Sequence, residues 1–282
     1  MLWKIRHRIL DLSTPRIMGI VNITPDSFSD GGQFSNPQEA VRCALALEKE
    51  GADILDLGAE STRPGASPIP ASGQLQRLLP VLNALRGATE LPISIDTTQA
   101  EVARVCLDAG ADIINDVSGL HESQGDLAGL IRDSGAGLVL MHRRGNALTM
   151  AGLADYTDVV REVTEELRWS AEQALSHGVD PKQIVLDPGI GFAKTAEQSL
   201  EILRRIEEFE ALGYPILLGP SRKSFLGEVT GRDVENREFA TAAVVAYAFL
   251  KKISIVRVHH VAAMNDVKQV IQAMQGECHV RT

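Results

Sequence analysis

Apolar residues gather into eight short, nearly continuous runs: Ile17 to Thr24, Ala52 to Ala59, Pro92 to Thr97, Asp112 to Ser118, Gly137 to His142, Ile184 to Ile190, Pro215 to Ser221 and Ile253 to Val261. Most are rich in Ile and Val. Runs apolar on both faces mark strands of a parallel sheet that helices cover. Between the runs, apolar residues recur at helical spacing over Asn36 to Glu50, Ala71 to Arg86, Gln99 to Ala109, Gln124 to Ser134, Asp155 to His177, Ala196 to Leu212, Arg237 to Lys251 and Ala262 to Met274. Asn36 suits an N-cap, with Pro37 in the first turn, and Gly51, Gly110, Gly135, Gly178 and Gly213 suit helix stops. Gly-Ala-Asp precedes two of the strands, at 51–53 and 110–112, so the same turn is used twice.

Eight strand–helix units in series predict an α/β chain folded as a (β/α)8 TIM barrel. An open doubly wound sheet is the runner-up, but it rarely needs eight consecutive units. The 282 residues suit one such barrel: residues 16–282 form it, and residues 1–15 remain as an N-terminal extension, read as a hairpin at the barrel bottom. A content of 44% hydrophobic and 23% charged residues excludes disorder. The 28 Lys and Arg against 37 Asp and Glu give a net charge of −9, so no general affinity for nucleic acid or an anionic membrane is expected. Cys43, Cys106 and Cys278 show no metal-type spacing and suit a reducing compartment. With no apolar stretch long enough for a membrane span, and charges interrupting the first ten residues, the chain is expected to be cytoplasmic.

Active sites of such barrels lie at the C-terminal ends of the strands. The strands end in, or carry near their ends, Asn22, Asp56, Asp96, Asn115 and Asp116, His142, Asp187, Ser221, and Arg257 with His259 and His260; Arg222 and Lys223 follow the seventh. Polar residues in apolar strands are costly to bury without partners, so a converging site is expected. Asp96, Asn115 and Asp187 suit a flat heterocycle with N–H edges, and Lys223 a ring carbonyl or nitrogen. Arg63, Arg257 and His259 suit phosphate oxygens. Asn22 is an uncharged oxygen ligand of the kind a hydrated Mg²⁺ takes. Two long loops, Pro25 to Ser35 and Ser61 to Gly73, read as substrate-ordering loops, with Phe28 a candidate cover for a planar ring. Arg143 and Arg144 are read as solvated loop residues, and His121, His177 and His279 as surface residues.

The motifs NITPDSFSDGG (22–32), ESTRPGA (60–66), SIDT (94–97), IINDVS (113–118), LMH (140–142), LDPGIGFAK (186–194), GPSRKSFLG (219–227) and RVH (257–259) resemble the dihydropteroate synthase family over about Met18 to Met274. The resemblance implies a barrel enzyme, usually a homodimer, that joins a dihydropterin pyrophosphate to para-aminobenzoate in folate synthesis and is a sulfonamide target. It implies that Asp96, Asn115, Asp187 and Lys223 hold the pterin ring and that Met141, Phe192 and Gly219 line its slot. Asn22 would bind Mg²⁺, and Arg257 and His259 the pyrophosphate, with Arg63 and Thr62 beside them. Thr62, Pro64, Ser221 and Lys223 would flank the para-aminobenzoate site. Gln198, Ser199, His260, Arg143 and Arg144 depart from the usual family pattern.

A non-catalytic pterin-binding paralogue is the main alternative, but Asp26, Phe28 and Arg63 are all present. A corrinoid-linked methyltransferase of the related barrels would not carry TPDSFSDGG and SRKSFLG. A phosphate-binding aldolase would want a Schiff-base lysine inside a strand or a metal-binding histidine cluster. The apolar segment Glu238 to Lys251 is a candidate self-association face.

Overall fold

A computed structural model describes residues 1–24, 37–62, 65–123 and 125–276 of the chain. Two antiparallel strands, β1 (Leu2–Ile5) and β2 (Arg8–Asp11), come first. Eight parallel strands follow: β3 (Arg16–Asn22), β4 (Ile54–Gly58), β5 (Ile93–Asp96), β6 (Ile113–Asp116), β7 (Gly137–Met141), β8 (Ile184–Asp187), β9 (Leu217–Leu218) and β10 (Ile255–Val258). They pair in the order β8-β7-β6-β5-β4-β3-β10-β9. A parallel bridge from Leu186 to Ile216 brings β8 back to the segment before β9, and the sheet rounds into a nearly closed (β/α)8 barrel.

The helices are α1 (Pro37–Lys49), α2 (Ala71–Arg86), α3 (Ala100–Asp108), α4 (Asp126–Ser134), α5 (Val159–Ser176), α6 (Ala196–Arg204), α7 (Ser224–Thr230), α8 (Glu238–Leu250) and α9 (Val261–Met274). Each barrel strand is followed by one, except that α7 is an additional short helix between β9 and α8. Asn36, the expected cap of α1, lies outside the described residues. The Asp158 side chain caps α5 by accepting from the Arg161 N–H at 3.1 Å. Thr195 and Gln198 form a reciprocal capping box on α6.

Three elements differ from their sequence expectation. The helix expected over Ala196 to Leu212 ends at Arg204 and continues as a 3₁₀ segment, Ile206–Leu212. Ile206, Phe209 and Leu212 are spaced by three, the period that stacks in a 3₁₀ turn, and the first two are fully buried. β9 has two residues because Pro215 precedes it and Gly219-Pro220 follows, and proline donates nothing to a ladder. α7 was not anticipated. Its Phe225 and Leu226 are buried.

Strand alternation sorts the core. Ile17, Val21, Leu55, Leu57, Ile95, Ile114, Leu138, Leu140, Leu186, Leu218, Val256 and Val258 point outward into the packed layer under the helices. The other parity forms an inner cluster: Met18, Ile54, Ile113, Val139, Val185, Leu217 and Ile255, joined by Trp3, Ile5 and Leu12 of the hairpin region. The hairpin thus fills the N-terminal end of the barrel. Trp3 is fully buried and its indole N–H donates to the Gln183 carbonyl at 2.7 Å.

Candidate active site

Two residues beyond each inward-facing position of this layer, apolar except for Ser94, the same parity delivers another ring of side chains. From Ile54 it gives Asp56, from Ser94 Asp96, from Ile113 Asn115, from Val139 Met141, from Val185 Asp187, from Leu217 Gly219 and from Ile255 Arg257. Asn22, Ser221 and His259 stand on the same parity one step further. Strand register sets Asn22, Gly58, Asp96 and Asn115 side by side across β3 to β6, and Met141 beside Asp187. All but three of the sequence-predicted site residues have now been placed or take part below. Phe28, Arg63 and Pro64 lie outside the described residues, and Thr62 stands at the edge of the described part of its loop.

Charge is concentrated in this ring. The Arg257 guanidinium donates from Nε to Asp56 at 2.7 Å and from Nη2 to Asp96 at 2.9 Å. Nη2 also lies 2.6 Å from Asp56. Asp56 is fully buried, and its Oδ1 has no hydrogen-bond partner. Burial pushes the Asp96 carboxyl well above the usual range, Arg257 opposes this, and the Asp56 charge adds to it. Asp187 is also raised by burial, against the pull of the Gly189 N–H, which donates to its Oδ1 at 2.7 Å. Burial lowers the Lys223 ammonium, with Asp187 opposing.

The walls are shaped by small residues. The Lys223 stem runs over Gly191, where an added Cβ would sit 3.1 Å from Cδ, and its Nζ lies 3.5 Å from the centroid of the Phe192 ring. An added Cβ on Gly219 would meet nothing within 4 Å, so space lies open beside β9. Gly189 has φ +62 and presses against the His142 carbonyl, which would lie 2.0 Å from a Cβ; no other residue fits there.

At the rim, the Asn22 amide Nδ2 lies 3.4 Å from His259 Nε2, and His259 Nδ1 lies 2.8 Å from Ser221 Oγ. With Nδ2 turned to the histidine, the Asn22 oxygen is left toward Gly58 and Asp96. Among the described residues, no group of three or more His, Cys, Asp and Glu side chains could hold a metal. This donor set fits a Mg²⁺ that keeps its waters and leans on a phosphate substrate.

The family described as pterin binding enzyme matches residues 18–259. A curated relative, the dihydropteroate synthase of Synechocystis, is 45% identical over 92% of this chain and 89% of its own length. The solved dihydropteroate synthase of Xanthomonas albilineans with 4-aminobenzoic acid superimposes with a TM-score of 0.91 at 41% identity, covering 98% of this chain and 99% of that one. That of Yersinia pestis with a sulfonamide drug gives 0.92 at 32% identity, covering 98% of this chain and all of the other. The chain belongs to the pterin-binding enzyme family.

Two strand-end polar residues stand apart from the ring. Asp116 and His142 sit on the outward parity. Asp116 accepts from the N–H and hydroxyl of Ser118 and the N–H of Leu120 at 2.7–2.8 Å, which caps the loop after β6. His142 lies between Glu166 and Lys194, at 2.9 and 2.8 Å. His260 is also apart, near Glu238 at 3.4 Å. The reading of Arg143 and Arg144 as solvated is corrected. Arg143 is only 7% exposed and donates to Glu122 at 2.5 Å. Arg144 lies 3.9 Å over the Tyr156 ring and pairs with Glu162 and Glu166. Carboxylates far along the chain draw both inward. Gln198 and Ser199 brace the site's loops. Gln198 donates to the Ala154 carbonyl at 3.0 Å, and Ser199 Oγ accepts from the Gly191 N–H at 3.2 Å.

Sequence reasoning counted Asp56 among the converging strand-end residues without a specific role, and overlooked Lys194, Glu60 and Gln74. The Gln74 amide bridges Glu60 at 2.5 Å and the Thr97 hydroxyl at 2.9 Å, which ties the second long loop to β5. Asp56 had a usable signal, the parity from Ile54. The others had none, because their partners are distant in sequence or are backbone atoms.

Proposed function

We infer that this chain is a dihydropteroate synthase, a transferase of folate biosynthesis. It condenses 6-hydroxymethyl-7,8-dihydropterin pyrophosphate with para-aminobenzoate, giving 7,8-dihydropteroate and pyrophosphate. The observation that carries this reading is the inner ring of Asp96, Asn115, Asp187 and Lys223 beside the open space at Gly219, in a chain that is like dihydropteroate synthases over nearly its whole length. A non-catalytic paralogue would not need the Asn22, Ser221 and His259 chain at the rim.

In this reading the pterin's N–H edge meets Asp96, Asn115 and Asp187, and Lys223 donates to the ring. Met141 and Phe192 flank the ring. The C–O bond of the exocyclic methylene breaks, and its electron pair leaves with the pyrophosphate. Arg257 Nη1, His259 and Arg63 stabilise that charge as preorganised donors. The aniline nitrogen of para-aminobenzoate, placed by Thr62, Pro64, Ser221 and Phe28, forms the new C–N bond and releases its proton to solvent. A neutral aniline is already a nucleophile, so no covalent enzyme intermediate is needed. Asn22 would hold a Mg²⁺, which supplies further charge neutralisation to the pyrophosphate when bound.

The deciding experiment is pyrophosphate release from dihydropterin pyrophosphate and Mg²⁺, with and without para-aminobenzoate. Release that depends on para-aminobenzoate, with dihydropteroate formed, is expected. Pterin binding without release would favour the paralogue.

The same reading includes a cytoplasmic homodimer. Scattered cysteines support a reducing compartment, and no described helix is long and apolar enough to cross a membrane. Phe239 and Leu250 on α8 and Val270 and Met274 on α9 are exposed, Phe239 at 91%, and they support a self-association face. Mass in dilute solution tests it: a monomer would exclude the dimer.

A further inference from the structure

Lys194 lies at the end of the loop that carries Phe192, and its ammonium is surrounded by acceptors. Nζ donates to the carbonyls of Gly189 and Phe192, both at 3.0 Å, and to His142 Nδ1 at 2.8 Å. Burial lowers Lys194 to about 7, opposed by the charges of Asp187 and Glu166; as an ammonium it has three N–H donors, and here each has a partner. Because Nδ1 accepts, the proton of a neutral His142 sits on Nε2 and is donated to Glu166 on α5. Arg144 holds the other Glu166 oxygen. His142 is only 4% exposed. Burial, together with the charge of Lys194, lowers it to about 4, so it is neutral at ordinary pH. The series Arg144, Glu166, His142, Lys194 therefore pairs donor with acceptor at each step, from the loop after β7, by way of α5, to the loop after β8.

Three further hydrogen bonds fix the same loop: Gly189 N–H to Asp187, Gly191 N–H to Ser199, and Phe192 N–H to the Gly189 carbonyl at 3.0 Å, which closes the turn. Those hold its start and its middle. Among the described hydrogen bonds, only Lys194 grips the Phe192 carbonyl, at the far side of that turn. The Phe192 ring in turn lies under the Lys223 ammonium, and the Lys223 stem lies on Gly191.

We propose that Lys194 is a positioning residue for the pterin slot: its ammonium gathers the Gly189 and Phe192 carbonyls into the turn that sets the Phe192 ring against Lys223, and His142 and Glu166 key that clasp to α5. This rests on the pterin-site reading above and deepens it. Lys194 itself touches no reacting atom. An error of about 1 Å in a positioning group can cost up to about a hundredfold in rate or binding, so a loosened Phe192 should be visible in kinetics.

The test is Lys194→Met in the full chain, with wild type alongside. The KM for dihydropterin pyrophosphate is expected to rise about tenfold or more, while the KM for para-aminobenzoate stays within about twofold. A nitrogen-15 NMR titration of His142 is expected to show its pKa moving up, since a neighbouring cation is lost, and its fixed Nε2–H tautomer relaxing. A role in stability alone predicts neither the KM split nor the tautomer change. If Lys194→Met does not fold, Lys194→Arg keeps the charge but its planar fork cannot reproduce three tetrahedral N–H bonds, and it should show the same split. A folded variant with unchanged pterin KM, or with both KM values raised together, would overturn the proposal. So would failure of both variants to fold, because the clasp would then hold the barrel rather than the slot. Wild type without turnover would sink the proposed function instead, and the parallel measurement tells the two failures apart.

Discussion

Arg257 shows how the chemistry of one residue is bound up with the stability of the fold. It is the cation assigned to the leaving group, yet in the protein it lies against the carboxylates of Asp56 and Asp96. Removing it leaves two carboxylates buried and unpaired, and breaking such a pair typically costs about 3–5 kcal/mol. Arg257→Ala is therefore expected to lose both turnover and stability. The stability loss should depend on pH. A carboxyl whose folded pKa is raised binds more protons folded than unfolded, so lowering the pH from the raised value toward the usual one favours the folded state. Asp96 is such a group, and without the guanidinium its pKa rises further. Denaturant unfolding should thus show a gap between variant and wild type that is wide at pH 8 and narrower at pH 5; an equal gap at both would mean that Asp96 is not the group relieved. Much of this site was legible at the residue scale, since Asp96, Asn115, Asp187 and Arg257 are strand-end residues of unusual polarity and Lys223 follows a strand closely. Asp116 and His142 look the same in sequence and do other work. The difference is parity: they alternate with the inward residues, and counting from Ile113 or Val139 would have separated them.

Elements were legible where their periodicity was strong, and less so where proline and glycine cut them short. The run Pro215 to Ser221 reads as a full strand, but only Leu217–Leu218 pair as one. The turn that follows carries Lys223 into the site, and it needs a conformation that sequence pattern does not announce: Arg222 sits at φ +60. The residues around it impose this. The Arg222 N–H donates to the Thr241 hydroxyl at 3.2 Å, and Arg237 donates to the Arg222 carbonyl at 3.1 Å. A left-handed conformation costs a residue with a Cβ about 1–2 kcal/mol, and glycine almost nothing. Arg222→Gly is thus expected to be more stable than Arg222→Ala by about 1 kcal/mol, although glycine normally loses this comparison through its entropy when unfolded. Chemical denaturation of the two variants decides it. Alanine equal to or better than glycine would mean that the turn relaxes and that Lys223 is held by other contacts.

At the scale of the whole molecule, the barrel needs a floor, and the hairpin supplies it. The inward residues at the N-terminal ends of the strands are apolar but for Ser94, from Met18 round to Ile255, and would face water if nothing covered them. Trp3, Ile5 and Leu12 pack into that opening, and an added Cβ on Gly137 would lie 2.6 Å from Ile5 and 3.0 Å from Trp3. On the same hairpin Leu2 and Ile9 are 54% and 68% exposed. The two faces therefore make opposite predictions. Trp3→Ala removes a fully buried ring and its hydrogen bond to Gln183, and should destabilise by about 3–5 kcal/mol. Ile9→Ala should stay within about 0.5 kcal/mol of wild type. The site ring stands one inward step above the apolar layer, which remains in place in both variants. Pterin KM measured well below the melting transition is therefore expected to stay within about twofold of wild type for Trp3→Ala. Such a result would separate the barrel's closure from its chemistry. A large rise in KM would show instead that the floor and the polar ring are one cooperative unit, in which the layer of Val139 and Val185 transmits a void at Trp3 to Met141 and Asp187.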